Sequence, residues 1–244
     1  MKTNKKGLLI TFEGGDGSGK GTQSKLLFEY LKSLGLPVRH GGFPMYDTPT
    51  GKKVGEYLNG LYGDKVSAEE GGKLYQDDRL ANRGPIVEWL NDGGIYVLDR
   101  YVESNSGHQG GKLPTKEERI AFIRHNADIE YGQNNLPVPD VTILFTLSPE
   151  LSRKYVARKS GESRANYTTR THDIHEDDED HLRHANEAFG LLTELYPERV
   201  CHINTTTANG NEMLPIETIA RTVQDTVRPL LKAGGYFSTV SSDR

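Results

Sequence analysis

The chain has 244 residues, with 30 Lys and Arg against 34 Asp and Glu, a net charge of −4 and 34% hydrophobic residues. That length can bury one substantial core, and the mild acidity argues against a surface built broadly for nucleic acid. A single cysteine, Cys201, excludes an intrachain disulfide and a cysteine-rich zinc site, and fits a reducing compartment.

The first apolar run, Leu8–Phe12, ends at Glu13. It is too short for a signal-peptide core or a bilayer span, so the expectation is a soluble, cytoplasmic protein with no membrane or nucleic-acid partner. The run reads instead as a first strand. Further strands are expected over Val38–Phe43, Ile95–Asp99, Val141–Leu147 and Val200–Ile203. Most are apolar without alternation, as strands covered on both faces tend to be. Helix-period segments lie between them, which points to an α/β domain around a parallel sheet.

The first helix is expected from Lys20 to Leu34, with Leu26, Leu27, Tyr30, Leu31 and Leu34 on one face. Gly35 then caps it and Pro37 prevents continuation. A second stretch spans Ser67 to Leu90 and breaks at Gly84-Pro85, where an amide donor is missing. Others run from Thr115 to Tyr131, Asp177 to Tyr196 and Ile216 to Leu231. No repeat or linker interrupts the pattern, so a single domain over 1–244 is expected, with a core of about 7–232. Met1–Lys5 and Ala233–Arg244 read as disordered tails.

The polar segment Arg158–Asp173 carries no apolar stripe and reads as a lid or a surface loop. His172, His175, His181 and His184 follow among acids, without a zinc signature, and read as a solvated lid and helix start. The acidic run Glu176–Asp180 suits a helix N-terminus, where the dipole favours negative charge.

Chemistry concentrates after the first strand, in Gly14-Gly15-Asp16-Gly17-Ser18-Gly19-Lys20-Gly21-Thr22. Glycines allow a tight loop whose amides point at phosphate oxygens, the helix N-terminus adds positive potential, and Lys20 reaches the outer phosphates. The pattern asks for Ser or Thr directly after the lysine; here Gly21 intervenes before Thr22. A bound nucleoside triphosphate is implied. The third strand ends in Asp99-Arg100-Tyr101, placing a carboxylate and a guanidinium at the sheet edge where open α/β folds bind ligands. Asp99 can hold magnesium or its waters, and Arg100 can fork onto a second phosphate.

Four pieces together resemble the thymidylate kinase family: Phe12–Lys20, Phe43-Pro44-Met45-Tyr46, Tyr75-Gln76-Asp77-Asp78-Arg79, and Asp99–Asn105. The resemblance implies a phosphate-loop fold with strand order 2-3-1-4-5, a homodimer, and transfer of the γ-phosphoryl of ATP to dTMP with Mg2+. It also implies that Arg100 binds the acceptor phosphate, that Phe43 and Tyr46 line that site, and that Tyr75 stacks on thymine. Arg79 would bond a base carbonyl, and the i, i+4 spacing puts it on Tyr75's face. Asp16 would contact the acceptor sugar and a magnesium-bound water, Ser104 and Asn105 would line the acceptor site, and Glu176 would lie near it. His108 falls where many members carry a tyrosine near the sugar's 2′ position, so weak discrimination of ribose is implied. Since Gly17 and Ser18 carry no charge, the resemblance implies catalytic arginines from the lid, among Arg153, Arg158 and Arg164, beside Lys20, Arg100 and Asp16. Other acceptors such as dUMP, dGMP or AMP stay open, as does a phosphate-loop switch protein; no Asn-Lys-x-Asp motif supports a GTPase switch.

Overall fold

Residues 7–63, 65–157 and 179–237 are described by the structure, a computed structural model. Five parallel strands form one sheet in the order β2-β3-β1-β4-β5. They are β1 (Leu8–Gly14), β2 (Val38–Gly42), β3 (Ile95–Asp99), β4 (Val141–Phe145) and β5 (Val200–His202). The central strand β1 pairs Leu8 with Ile95 on one side and Ile10 with Val141 on the other. The expected strands and their order are therefore observed, with β2, β4 and β5 stopping one or two residues early.

Both faces of the sheet are covered, which explains the unalternating apolar runs. Leu8, Ile10 and Phe12 pack with Leu27 and Leu31 of α1 (Lys20–Ser33) and with Ile219, Val223, Val227 and Leu231 of α9 (Ile216–Ala233). Leu9 and Leu98 face the other way, onto Phe43, Ile86, Tyr101 and Leu136. Each such side chain, fully buried, stabilises the fold by roughly 1.5–3 kcal/mol.

Several expectations need correction. On α1 the stripe facing the sheet is Lys20, Gln23, Ser24, Leu27 and Leu31, while Leu26 and Leu34 are exposed. One residue turns a helix by about 100°, so Leu26 cannot share the seat of Leu27. The stretch from Ser67 does break at Gly84-Pro85 as expected, into α3 (Ala68–Asn82) and α4 (Gly84–Asn91), and Pro85 occupies the first turn of the second helix, where it loses no bond. Ser67 and Glu70 close a capping box at the start of α3, and Thr115 with Glu118 does the same for α6 (Lys116–Ala127), which runs on through a π-turn over Asp128–Gln133.

Two helices escaped the sequence reading, α2 (Pro49–Leu58) and α5 (Glu103–His108). Thr48 and Pro49 signalled the first as N-cap and first-turn proline. The second, Glu-Ser-Asn-Ser-Gly-His, has no such signal. α7 (Pro149–Ala157) and α8 (Glu179–Leu195) flank residues 158–178. At the C-terminal end the expected tail starts too early: Tyr236 is buried and its hydroxyl donates to the Gly93 carbonyl at 2.9 Å. No helix among the described residues is long and apolar enough to cross a membrane.

Candidate active site

The loop after β1 takes its shape from glycines in the left-handed region, Gly17 at φ 77° and Gly19 at φ 88°. Gly17 also needs its lack of a Cβ, which would sit 2.7 Å from the Ser152 carbonyl oxygen of α7. Ser152 grips the same place from its side chain, donating to the Asp16 carbonyl at 2.5 Å. Lys20 folds back over the loop, donating to the Gly15 carbonyl at 3.0 Å and lying 3.4 Å from Asp16 Oδ1. A glycine-rich loop before a helix N-terminus, closed by a lysine, has the shape and charge to receive phosphates.

The end of β3 brings Asp99 against this loop. A Cβ on Gly21 would stand 2.8 Å from Asp99 Oδ2, so the glycine that breaks the usual Ser/Thr pattern is what lets the carboxylate approach. Asp99 Oδ1 is buried and has no hydrogen-bond partner among the described residues, and Ser18 Oγ in the loop is in the same condition. An orphaned buried carboxylate oxygen beside a phosphate cradle fits a hard cation such as Mg2+. Asp16 fits it less well, because its Oδ1 already faces two cations, Arg100 Nη2 and Lys20 Nζ. Among the described residues no group of three His, Cys, Asp or Glu side chains could hold a metal ion.

Arg100 adopts φ +69°, a left-handed conformation that costs a non-glycine residue about 1–3 kcal/mol and marks functional turns. Its amide donates to the Phe12 carbonyl at 2.9 Å. The side chain is thereby aimed back over the loop, where Nη2 pairs with Asp16 and Nη1 lies 2.9 Å from His108 Nε2. Burial works against its charge, but the carboxylates of Asp16, Asp99 and Glu13 outweigh it and hold the guanidinium protonated.

Across from it, α2 and α3 raise an aromatic wall. Tyr46 and Tyr75, both partly exposed, pack against the buried cluster of Val54, Tyr57 and Leu58, and the Tyr57 ring meets Tyr75 edge-on with centroids 6.2 Å apart. Phe43 lies deeper, buried beside Tyr101. Asp78, one turn beyond Tyr75, is buried and accepts from Met45 N at 2.8 Å, Thr50 Oγ1 at 2.9 Å, Thr48 Oγ1 at 3.2 Å and Asn82 Nδ2 at 3.0 Å. It pins the segment that carries Tyr46 to the helix that carries Tyr75.

Three expected ligand contacts turn inward. Arg79 is 1% exposed; its Nε and Nη2 donate to Glu130 and its Nη1 to the Tyr101 carbonyl at 3.0 Å. Ser104 donates to Glu13 Oε2 at 2.5 Å, and Asn105 donates to the Gly72 carbonyl and to Asn126. On α5, wedged between the sheet and α6, buried polar groups must pair internally. All three therefore have partners within the fold.

The residues that the sequence reading missed are the buried ones. Glu13, fully buried, also accepts from Tyr101 N at 2.6 Å. Burial, and then the nearby Glu103, push its pKa up to about 7 against the pull of Ser104, Tyr101 and Arg100. Glu103 is held by Tyr131 Oη at 2.7 Å and Arg199 at 2.6 Å. Gln109 is fully buried beside Tyr57 and Gly71, and both its amide oxygen and nitrogen lack a partner among the described residues. Its signal was its place one residue after His108. Arg158, Arg164, His172, His175 and Glu176 lie outside the described residues; Arg153 is on α7.

Comparison with known proteins gives the family and the fold. The family model "Thymidylate kinase" matches residues 12–211. A thymidylate kinase of Exiguobacterium is 29% identical over 234 residues, covering 94% of this chain and 98% of its own length. One from Plasmodium falciparum is 32% identical over 179 residues, covering 71% and 80%. A solved thymidylate kinase from Candida albicans shares the fold with a TM-score of 0.66 at 24% identity, over 93% of this chain and 94% of that one.

Proposed function

This chain belongs to the thymidylate kinase family, and from that premise we propose how its residues divide the work of moving the γ-phosphoryl group of ATP to dTMP. Products are ADP and dTDP. The observation that carries the assignment is the placement of Arg100, at the edge of β3, between the phosphate loop and the aromatic wall.

The loop amides and Lys20 hold the donor phosphates. Arg100 receives the acceptor phosphate as a planar fork, which suits two phosphate oxygens better than a point charge does. Tyr46 and Tyr75 take the thymine face. Gln109 offers one amide donor and one acceptor to the base edge, which is why both atoms stand unpartnered without it. The acceptor oxygen is already ionised, so the protein needs no general base; it aligns two phosphates and surrounds the migrating group with cations. Mg2+ held by Asp99 would neutralise charge on the donor phosphates. Lid arginines Arg158 and Arg164 would complete the cation set, and a homodimer working in the cytoplasm is the expected assembly.

The test is ADP release coupled to a reporter, with ATP, Mg2+ and dTMP, dUMP, dGMP or AMP in turn. dTMP should be the best acceptor. ADP release that needs no monophosphate, or a higher kcat/KM for a purine acceptor, would overturn the reading.

A further inference from the structure

His108 points at the phosphate-binding arginine. Arg100 Nη1 lies 2.9 Å from His108 Nε2, while Nη2 is held by Asp16. A guanidinium only donates, so Nε2 is the unprotonated ring nitrogen and accepts. Each terminal nitrogen of Arg100 keeps a second N–H for a ligand. The imidazole is itself seated: it meets Phe189 of α8 edge-on, with centroids 5.5 Å apart and planes at 87°. Phe189 is fully buried and occupies the space that Gly107 leaves, since a Cβ at 107 would run into its ring. Two elements thus meet the guanidinium, the phosphate loop through Asp16 and α5 through His108, and α8 backs the second of them through Phe189.

We propose that His108 is a positioning residue for the acceptor phosphate, acting through Arg100 and not through the sugar. The inference rests on Arg100 as the acceptor-phosphate ligand. A planar fork grips two phosphate oxygens only while its plane is fixed. Asp16 alone leaves that plane free to swing about a single contact; a second acceptor on the other amino group removes the freedom. Phe189 keeps the imidazole from following the arginine if it moves.

The test compares wild type, His108→Phe and His108→Gln. Phe keeps a flat ring against Phe189 and loses the acceptor; Gln loses the ring and places an amide oxygen at similar reach. KM for dTMP and for ATP is measured, with the inhibition constant of thymidine, which carries the same base and sugar without the phosphate. His108→Phe should raise the dTMP KM about tenfold, the scale of one hydrogen bond to a charged group. Thymidine inhibition and the ATP KM should stay within about twofold, and His108→Gln should recover most of the loss. An unchanged dTMP KM in His108→Phe overturns the proposal. So does a parallel loss for dTMP and thymidine, which would mark a sugar contact, or a His108→Gln variant worse than His108→Phe, which would mark ring packing. If His108→Phe does not fold, Phe189→Leu reads the same link. It loosens the ring and should raise the dTMP KM without moving thymidine inhibition, and an unchanged dTMP KM again overturns the proposal. A wild-type protein that fails to phosphorylate dTMP would remove the underlying reading instead.

Discussion

The phosphate loop and the aromatic wall face each other at one end of the sheet, but they are built from different materials. The loop is made of backbone: glycines at positive φ and one lysine whose carbonyl partner is five residues away. The wall is made of side chains held over long sequence distances. Asp78 reaches 33 residues to Met45, and Arg79 reaches 51 to Glu130. The difference teaches that a site for the invariant part of a nucleotide, its phosphates, can be written locally. A site for the variable part, a base and its attached phosphate, has to be assembled by the fold.

The sharpest separation of the two regions is Lys20→Ala. It removes a cation from the loop without touching the wall, so kcat should fall about 10²–10³-fold, as when one preorganised donor to a transition state is lost. The dTMP KM should move far less. Steady-state kinetics with each substrate varied checks this, and a dTMP KM that rises with the fall in kcat would break the comparison.

Glu13 sits where the two regions meet, at the end of β1 beneath Tyr101 and Ser104. Its pKa in the fold is pushed up to about 7 from an ordinary 4.5, so between those values the folded protein binds a proton that the unfolded chain releases. Its contribution is therefore most favourable below pH 4.5 and is lost as pH rises to about 7, amounting to roughly 3 kcal/mol at the upper end. Thermal unfolding of wild type and Glu13→Gln between pH 5 and 8 should show the wild type losing stability relative to the variant as pH rises. Parallel curves would mean that Glu13 stays ionised throughout.

A smaller effect tests the wall alone. Asp78→Asn keeps the shape but turns an amide donor toward one of the four groups that now donate to it. The dTMP KM should rise about tenfold, with the ATP KM unchanged, because a buried donor left without an acceptor costs about 1–3 kcal/mol. Equal changes in both constants would show that Asp78 supports the whole domain and not the segment carrying Tyr46.

Order along the chain carried the sheet, its strand order through family resemblance, and the phosphate loop. Short apolar runs without alternation, set between helix-period segments, suit strands covered on both sides, and a glycine-rich turn between strand and helix has few other uses. Tyr75 and Tyr46 were named only through the family resemblance, and the fold sets both beside the Val54, Tyr57 and Leu58 cluster. The directions of Arg79, Ser104 and Asn105 were not legible. As residue types they suit a ligand as well as they suit a core, and only the packing of α5 against α3 and β1 shows that they pair inside. The same holds for His108, whose position suggested a sugar contact while its ring faces Arg100. Backbone conformation and hydrophobic pattern are properties of neighbours in sequence, and these the chain states outright. Which polar group meets which depends on side chains brought together from tens of residues apart, and it is settled only when burial removes water as a partner and each group must find another.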